Sequence, residues 1–225
     1  MYRQFRKLSV AALVAATASS FYAAGAQARA LADPAPPPVA TADNSEPYGS
    51  NTWVNAPKED AKASKLLRID LQNQRHVAGS WAATGATIAS FHGRRVDPEA
   101  FCAKAFDSAK CDVKKSQAAK LDRMQAGFRR LGIASGRLVD GPISFDEIKA
   151  EVDAGRPVAV RVNWTVGGGH MLPIYGYDAA KKWVYWGDPW PSADNYQWAS
   201  FDYLVANDLW IMTGAITHIG ERAVT

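Results

Sequence analysis

The sequence predicts an α+β domain in which a buried helix packs on an antiparallel sheet, because helical patterns come first along the chain and strand patterns follow. The helical patterns lie between about residues 80 and 155. After Arg156 and Pro157 the chain becomes rich in β-branched and aromatic residues, in short runs separated by turn residues. Helices and strands do not alternate, so a parallel βαβ sheet is not expected.

The first helix is predicted over residues 80–92, where small and apolar side chains cover nearly every face and Gly93 follows as a stop signal. A helix that is apolar all round is a buried one. Ser80 stands at its predicted N-terminus, where a serine often caps the helix and where backbone N–H groups point outward.

Two amphipathic surface helices, four strands and one short helix follow. The first surface helix has apolar residues at helical spacing before Gly132, namely Leu121, Met124, Phe128 and Leu131. The second begins at Ser144, which forms a capping-box pattern with Glu147, and it ends at Gly155. Strands are predicted over residues 158–164, 170–177, 183–186 and 209–216, and the short helix over residues 201–205.

The N-terminal part of the chain has the composition of an export signal and a linker. Residues 1–28 combine basic residues, an alanine-rich apolar run and a small-residue cleavage site, which predicts a signal peptide; a membrane anchor is the alternative. Residues 29–63 are rich in proline, alanine and polar residues, which predicts a disordered linker. The folded domain is predicted over residues 64–219, followed by a tail at residues 220–225. The mature protein is therefore expected in the periplasm or outside the cell.

The net charge favours no particular class of partner. The chain carries a formal charge of +4, but removing the three basic residues of the signal from its 26 leaves 23 basic against 22 acidic residues. No basic stripe with interleaved aromatic residues is present, so nucleic acid is not an expected partner. The four histidines are widely scattered and there is no Cys-x-x-Cys pair, so the sequence predicts no metal site and no cofactor.

The two cysteines of the chain, Cys102 and Cys111, are predicted to form a disulfide, because export places them in an oxidising compartment. The alternative, that one of them is a nucleophile, is disfavoured because neither precedes a strong helix pattern or lies near a polar cluster.

Four polar residues are the candidates for a functional site: Gln74, Ser80, His170 and Asp188. Taken singly, each has an ordinary structural explanation, as a loop residue, a helix cap, a strand histidine and the start of an Asp-Pro turn. Their order and setting are more informative. Gln74 lies six residues before the Ser-Trp pair that opens the buried helix, His170 follows three glycines, and Asp188 follows the next strand.

This arrangement resembles the papain-like cysteine peptidases, especially the compact bacterial branch related to the peptidases that process bacteriocin leaders. The resemblance extends through Gly155-Arg156-Pro157-Val158 and Ser200-Phe201-Asp202-Tyr203, so it covers nearly all of residues 72–216. It implies that Gln74 helps to bind the oxyanion of acyl transfer, that His170 is the general base and that Asp188 orients the imidazole. Trp81 and Trp190 would line the cleft, or else belong to the core. His76 lies near Ser80 in sequence and is interpreted as a loop residue.

The sequence departs from this family at its centre, because Ser80 stands where the family has its cysteine. A cysteine at a helix N-terminus beside a histidine ionises readily, whereas a hydroxyl does not. We therefore expect little or no peptidase activity, and a domain that binds a peptide or protein partner without cutting it. Three alternatives remain open: a hydrolase that uses Ser80 with His170 and Asp188, a serine introduced in place of a natural cysteine, and a non-enzymatic envelope adhesion or inhibitor module. The oligomeric state is not determined by the sequence.

Overall fold

The computed structural model of the chain describes residues 63–111, 119–191 and 195–221. The predicted signal peptide and all but the last residue of the predicted linker lie outside the described residues, as do residues 222–225 of the predicted tail. The domain boundaries therefore stay predictions.

The described residues form five helices and one sheet of seven strands, all paired antiparallel. The helices are α1 (Ser80–Phe91), α2 (Pro98–Phe106), α3 (Leu121–Arg130), α4 (Phe145–Asp153) and α5 (Phe201–Val205). The strands are β1 (Ser64–Leu66), β2 (Ser135–Asp140), β3 (Val158–Trp164), β4 (Gly169–Asp178), β5 (Trp183–Gly187), β6 (Tyr196–Ser200) and β7 (Trp210–Ile219).

The strand order is β2-β7-β3-β4-β5-β6, and β1 pairs with the far end of β4. The pairing of β3 with β4 covers residues 158–163 against 169–174, whereas the pairing of β4 with β5 begins only at Ile174. The first half of β4 therefore has β3 on one side only, within the part of the chain that the structure describes. This half contains His170.

The α+β prediction, with a buried central helix on an antiparallel sheet, is confirmed. Helix α1 is buried along its first ten residues and packs between β4 and the pair α2 and α3. Alanines and a glycine dominate its sequence, which allows the sheet and two helices to approach it closely. The cap differs from expectation, because Gly79 is the N-cap and Ser80 is the first residue of the helix.

Close packing in this helical layer depends on two glycines around one aromatic ring. A Cβ at Gly85 of α1 would lie 2.2 Å from the Phe101 ring, and one at Gly127 of α3 would lie 2.7 Å from it. Phe101 is fully buried and belongs to α2. The ring thus fills a space that exists only because both helices lack a side chain there.

Helix α2 was not predicted from the sequence, and it contains one half of the disulfide. Asp97 caps it by accepting a hydrogen bond from the Ala100 N–H, and Pro98 occupies its first turn. Cys102 is bonded to Cys111, so the predicted disulfide is confirmed.

The opposite end of the sheet is joined to α4 through the buried carboxylate of Glu151, which pairs with the partly exposed Arg156. Arg156 donates from Nε and Nη2 to the two carboxylate oxygens of Glu151, at 2.7 and 3.0 Å, and the His218 N–H donates to the same carboxylate at 2.8 Å. Burial alone would raise the pKa of Glu151, but these hydrogen bonds and positive charges together hold that pKa below its ordinary value. The predicted capping box of α4, between Ser144 and Glu147, is present.

Among the described residues, the helices are all too short or too polar to span a bilayer.

Candidate active site

His170 and Asp188 form a buried pair at the start of β4 and the end of β5. His170 Nε2 lies 2.9 Å from Asp188 Oδ1, and the two residues are only 1% and 5% exposed. A carboxylate can only accept, so Nε2 holds the proton of this bond and Nδ1 is the basic nitrogen of the ring. The Trp190 N–H donates to the same Asp188 oxygen at 2.9 Å. This is the arrangement that a histidine base and its orienting carboxylate require.

The loop that holds Asp188 is closed by reciprocal hydrogen bonds with Asn195. The Asp188 N–H donates to the Asn195 carbonyl, and Asn195 Nδ2 donates to the Asp188 carbonyl, both at 2.8 Å. Asn195 Nδ2 also contacts Asn73 Oδ1 at 2.7 Å. The Gln74 N–H donates to the Pro189 carbonyl at 2.8 Å. The structure thus brings the segment that contains Gln74 against the loop that contains Asp188.

Ser80 reaches the same strand through its side chain. Its Oγ accepts a hydrogen bond from the Met171 N–H at 3.3 Å, and Met171 directly follows His170. Ser80 is 3% exposed. The hydroxyl therefore lies at the N-terminus of α1, beside the residue that follows the histidine.

Gln74 is close to this position but its amide is engaged elsewhere. Its Nε2 donates to the carbonyls of His76 and Val77, at 2.9 and 3.2 Å, and both belong to the loop that leads to α1. The opposite amide orientation would place Oε1 against these two carbonyl oxygens, so the hydrogen bonds fix the orientation. An oxyanion at residue 80 would receive a hydrogen from Gln74 only if one of these bonds were broken.

The aromatic residues around the site have separate positions. Trp81 is buried and packs edge-on against Phe101 and Phe106, so it belongs to the core of the helical layer. Trp190 is partly exposed in the loop after Asp188. Trp164, which the sequence did not single out, stacks on the His170 ring with centroids 5.8 Å apart. The sequence signal that would have identified Trp164 is the short, glycine-rich connection between the predicted strands 158–164 and 170–177, which places the end of one strand beside the start of the next.

Two further sequence expectations concern histidines. His76 is a half-exposed loop residue whose Nε2 lies 3.7 Å from Glu99. Within the described ranges, no group of three or more His, Cys, Asp or Glu side chains is arranged to hold a metal ion.

Two large apolar side chains are exposed in the loops that lead to the site. Val77 precedes α1 and is 50% exposed, and Val166 precedes the glycines before His170 and is 82% exposed.

Comparison with known proteins identifies the family of the chain. The family model described as "Peptidase_C39 like family" matches residues 50–217, which is more than half of the chain. The chain belongs to this family. No curated protein matches it.

Three solved structures are similar to this chain, and the first of them shares its fold. The peptidase domain of Streptococcus ComA, a bi-functional ABC transporter involved in a quorum sensing pathway, is 17% identical with a TM-score of 0.51, over 69% of this chain and 100% of that one. A double glycine motif protease from an AMS/PCAT transporter is 13% identical with a TM-score of 0.46, over 68% of this chain and 92% of that one. Xylellain, a cysteine protease from Xylella fastidiosa, is 12% identical with a TM-score of 0.43, over 76% and 91%. The family membership confirms the papain-like resemblance of the sequence.

Proposed function

We propose that this chain is an exported, papain-like peptidase homologue that binds peptides in the family's cleft without cutting them. The observation that carries the proposal is the state of Gln74, whose amide donates to the carbonyls of His76 and Val77 instead of standing ready for an oxyanion. Losing a side-chain donor from an oxyanion hole costs an enzyme about a hundredfold to a thousandfold in rate. Ser80 adds a hydroxyl where the family uses a thiolate, which ionises far more readily.

Peptides with apolar side chains are the proposed ligands. Val77 and Val166 are exposed on the two loops that lead to Ser80 and His170. An extended peptide in a cleft between these loops would bury both valines, and apolar burial contributes about 25 cal/mol per Å². Export is supported by the signal pattern of residues 1–28 and by the disulfide, which persists in oxidising compartments.

A serine hydrolase is the second candidate, and the His170–Asp188 pair favours it. A base with an orienting carboxylate at 2.9 Å is what activation of a serine needs. In that case the Gln74 amide would have to break its hydrogen bond to the carbonyl of His76 or of Val77 when the substrate binds.

Labelling with a fluorophosphonate probe separates these two functions. The proposed function predicts no labelling of the unaltered chain beyond that of a Ser80→Ala variant. Labelling that disappears in Ser80→Ala and His170→Ala, but persists in Ser144→Ala, would establish the hydrolase instead. Ser144 is a suitable control because it caps α4 and is exposed.

Binding is tested with a library of short fluorescent peptides, whose integrity is followed by mass spectrometry. We expect intact peptides to be retained, with a preference for apolar residues that Val77→Asp and Val166→Asp abolish. Leu138→Asp is the matched control, because Leu138 is an exposed apolar residue on β2. Retention of no peptide, without labelling, would contradict both functions and favour an adhesion or inhibitor module.

A further inference from the structure

The main chain of Met171 is bound on both of its polar groups by one helix. Its N–H donates to Ser80 Oγ at 3.3 Å, and its carbonyl accepts from Thr84 Oγ1 at 2.8 Å. Ser80 and Thr84 are four residues apart on α1, so they lie on the same face, one turn from each other. Thr84 is fully buried.

The position of Met171 in the sheet explains why α1 provides these bonds. The N–H and C=O of one residue in an antiparallel strand point to the same side, and those of the next residue point to the opposite side. Met171 directs its groups to the side where β5 would pair, but β5 pairs with β4 only from Ile174 onward within the described residues. A buried strand edge without partners is unfavourable, and here two hydroxyl groups take the place of a neighbouring strand.

We propose that Ser80 and Thr84 form a two-point hydrogen-bond clasp on Met171, and that Thr84 is a positioning residue for His170. The clasp fixes the position of β4 along α1. Because His170 directly precedes Met171, it thereby also fixes the position of the imidazole relative to residue 80. Thr84 lies one turn inside the helix and acts through the strand. The inference goes beyond the proposed function, because the clasp is needed whether the cleft binds peptides or cuts them.

The clasp also gives Ser80 a task that is separate from nucleophilic attack. A hydroxyl is a good acceptor for the Met171 N–H, whereas a neutral thiol is a weak one. Serine at position 80 is therefore suited to hold the strand edge in a protein that does not need a thiolate.

Hydrogen exchange and the resonances of His170 test the clasp in the full chain. Thr84→Val keeps the shape of the side chain and removes its hydroxyl. We expect the Met171 amide hydrogen to exchange about tenfold faster in this variant than in Thr87→Val. A tenfold difference corresponds to a loss of about 1.4 kcal/mol in local stability. Thr87 is a matched control, since it is equally buried on α1 but accepts from the Gln72 N–H.

The same variants distinguish positioning from a general loss of stability. Thr84→Val is expected to shift the ring resonances of His170, Thr87→Val to leave them in place, and Thr84→Ser to restore them. The Ile174 amide, farther along β4, serves as the internal reference for exchange. Equal exchange at Met171 and unchanged His170 resonances in both valine variants would overturn the proposal.

A second measurement uses the unaltered chain, in case Thr84→Val does not fold. If Thr84 donates its hydroxyl proton to the Met171 carbonyl, this proton is protected from exchange with water and gives an observable resonance. If that proton exchanges freely, the clasp does not exist. None of these measurements depends on a ligand or on turnover, so fluorophosphonate labelling that contradicts the proposed function would leave this test unaffected.

Discussion

Replacing Ser80 by cysteine exchanges one oxygen for one sulfur at the N-terminus of α1, and its main effect is expected on ionisation. The new thiolate would accept the Met171 N–H bond that Ser80 accepts now. It would also lie at the positive end of a helix of 12 residues. Both effects favour the charged form, so we expect a pKa well below the ordinary value of about 8.5.

The size of the shift follows from these two contributions. A hydrogen bond to a charged group contributes about 1.5 to 3 kcal/mol, which corresponds to about one to two pKa units. The helix terminus adds about 0.3 to 1 kcal/mol. Together these two contributions would bring the thiol pKa to about 6 to 7. Burial of position 80, which is 3% exposed, opposes them, and a protonated His170 would reinforce them.

The rate of alkylation by iodoacetamide, measured from about pH 5 to about pH 9, reports this pKa across the expected range. Both natural cysteines are in the disulfide, so the new thiol is the only one that reacts. The same measurement in a Ser80→Cys, His170→Ala double variant gives the contribution of the imidazole to the pKa shift of the thiol. A folded Ser80→Cys protein with a pKa near about 8.5 would refute the reasoning.

The same shift predicts the pH dependence of stability. A thiol whose folded pKa is depressed stabilises the fold above its unfolded pKa, and this stabilisation is lost as the pH falls through the folded value. The Ser80→Cys protein should therefore gain stability relative to its parent as the pH rises from about 6 to about 9. We also expect it to cleave peptides at least about a hundredfold faster than the parent, which corresponds to about 2.7 kcal/mol of barrier.

Three further predictions concern the fold. Gly85→Ala should cost about 1 to 3 kcal/mol in a denaturant titration, because its methyl group would overlap the Phe101 ring; an unchanged midpoint would contradict this packing. Glu151→Gln should cost about 3 kcal/mol at neutral pH by breaking the pair with Arg156. The pKa of Glu151 is lowered in the fold, so the destabilisation caused by Glu151→Gln should shrink as the pH falls below the unfolded pKa of about 4.3. A destabilisation that stays constant from neutral to acid pH would contradict the stabilising role of the ionised pair. Reducing the disulfide should cost about 2 to 3 kcal/mol, and titration of the denatured, unreduced chain should find no free thiol.

The sequence predicted the elements whose patterns are local and strong. The structure agrees with the sequence prediction for helix α1, for strands β3, β4 and β5 and for the short helix α5. Buried elements need runs of apolar residues, and turn residues mark where these runs end. The edge strands β1, β2 and β6 were missed, since β1 has only three residues, β2 is largely exposed and polar, and β6 has only five residues. Helix α2 was missed although Asp97 before Pro98 is a start signal.

The residues of the candidate site could be named from the sequence, but their bonds could not. Ser80 and Met171 are 91 residues apart, and their contact depends on how α1 is placed against β4. The engaged amide of Gln74 depends on the path of a loop that no periodicity describes. Strand register and loop geometry depend on tertiary packing. The local sequence pattern therefore identifies the residues of the candidate site, but not the hydrogen bonds that their atoms form.

The retention of His170, Asp188 and Gln74 does not by itself require catalysis. His170 and Asp188 are almost fully buried and satisfy each other, so removing one leaves an uncompensated polar or charged group in the interior, which is strongly destabilising. Gln74 is buried as well, and its two bonds hold the loop that begins α1. Under the proposed function, each of these residues thus meets a structural need that does not depend on catalysis. Under the same proposal, position 80 needs only an acceptor for the Met171 N–H, and a serine oxygen provides one without the reactivity of a thiolate.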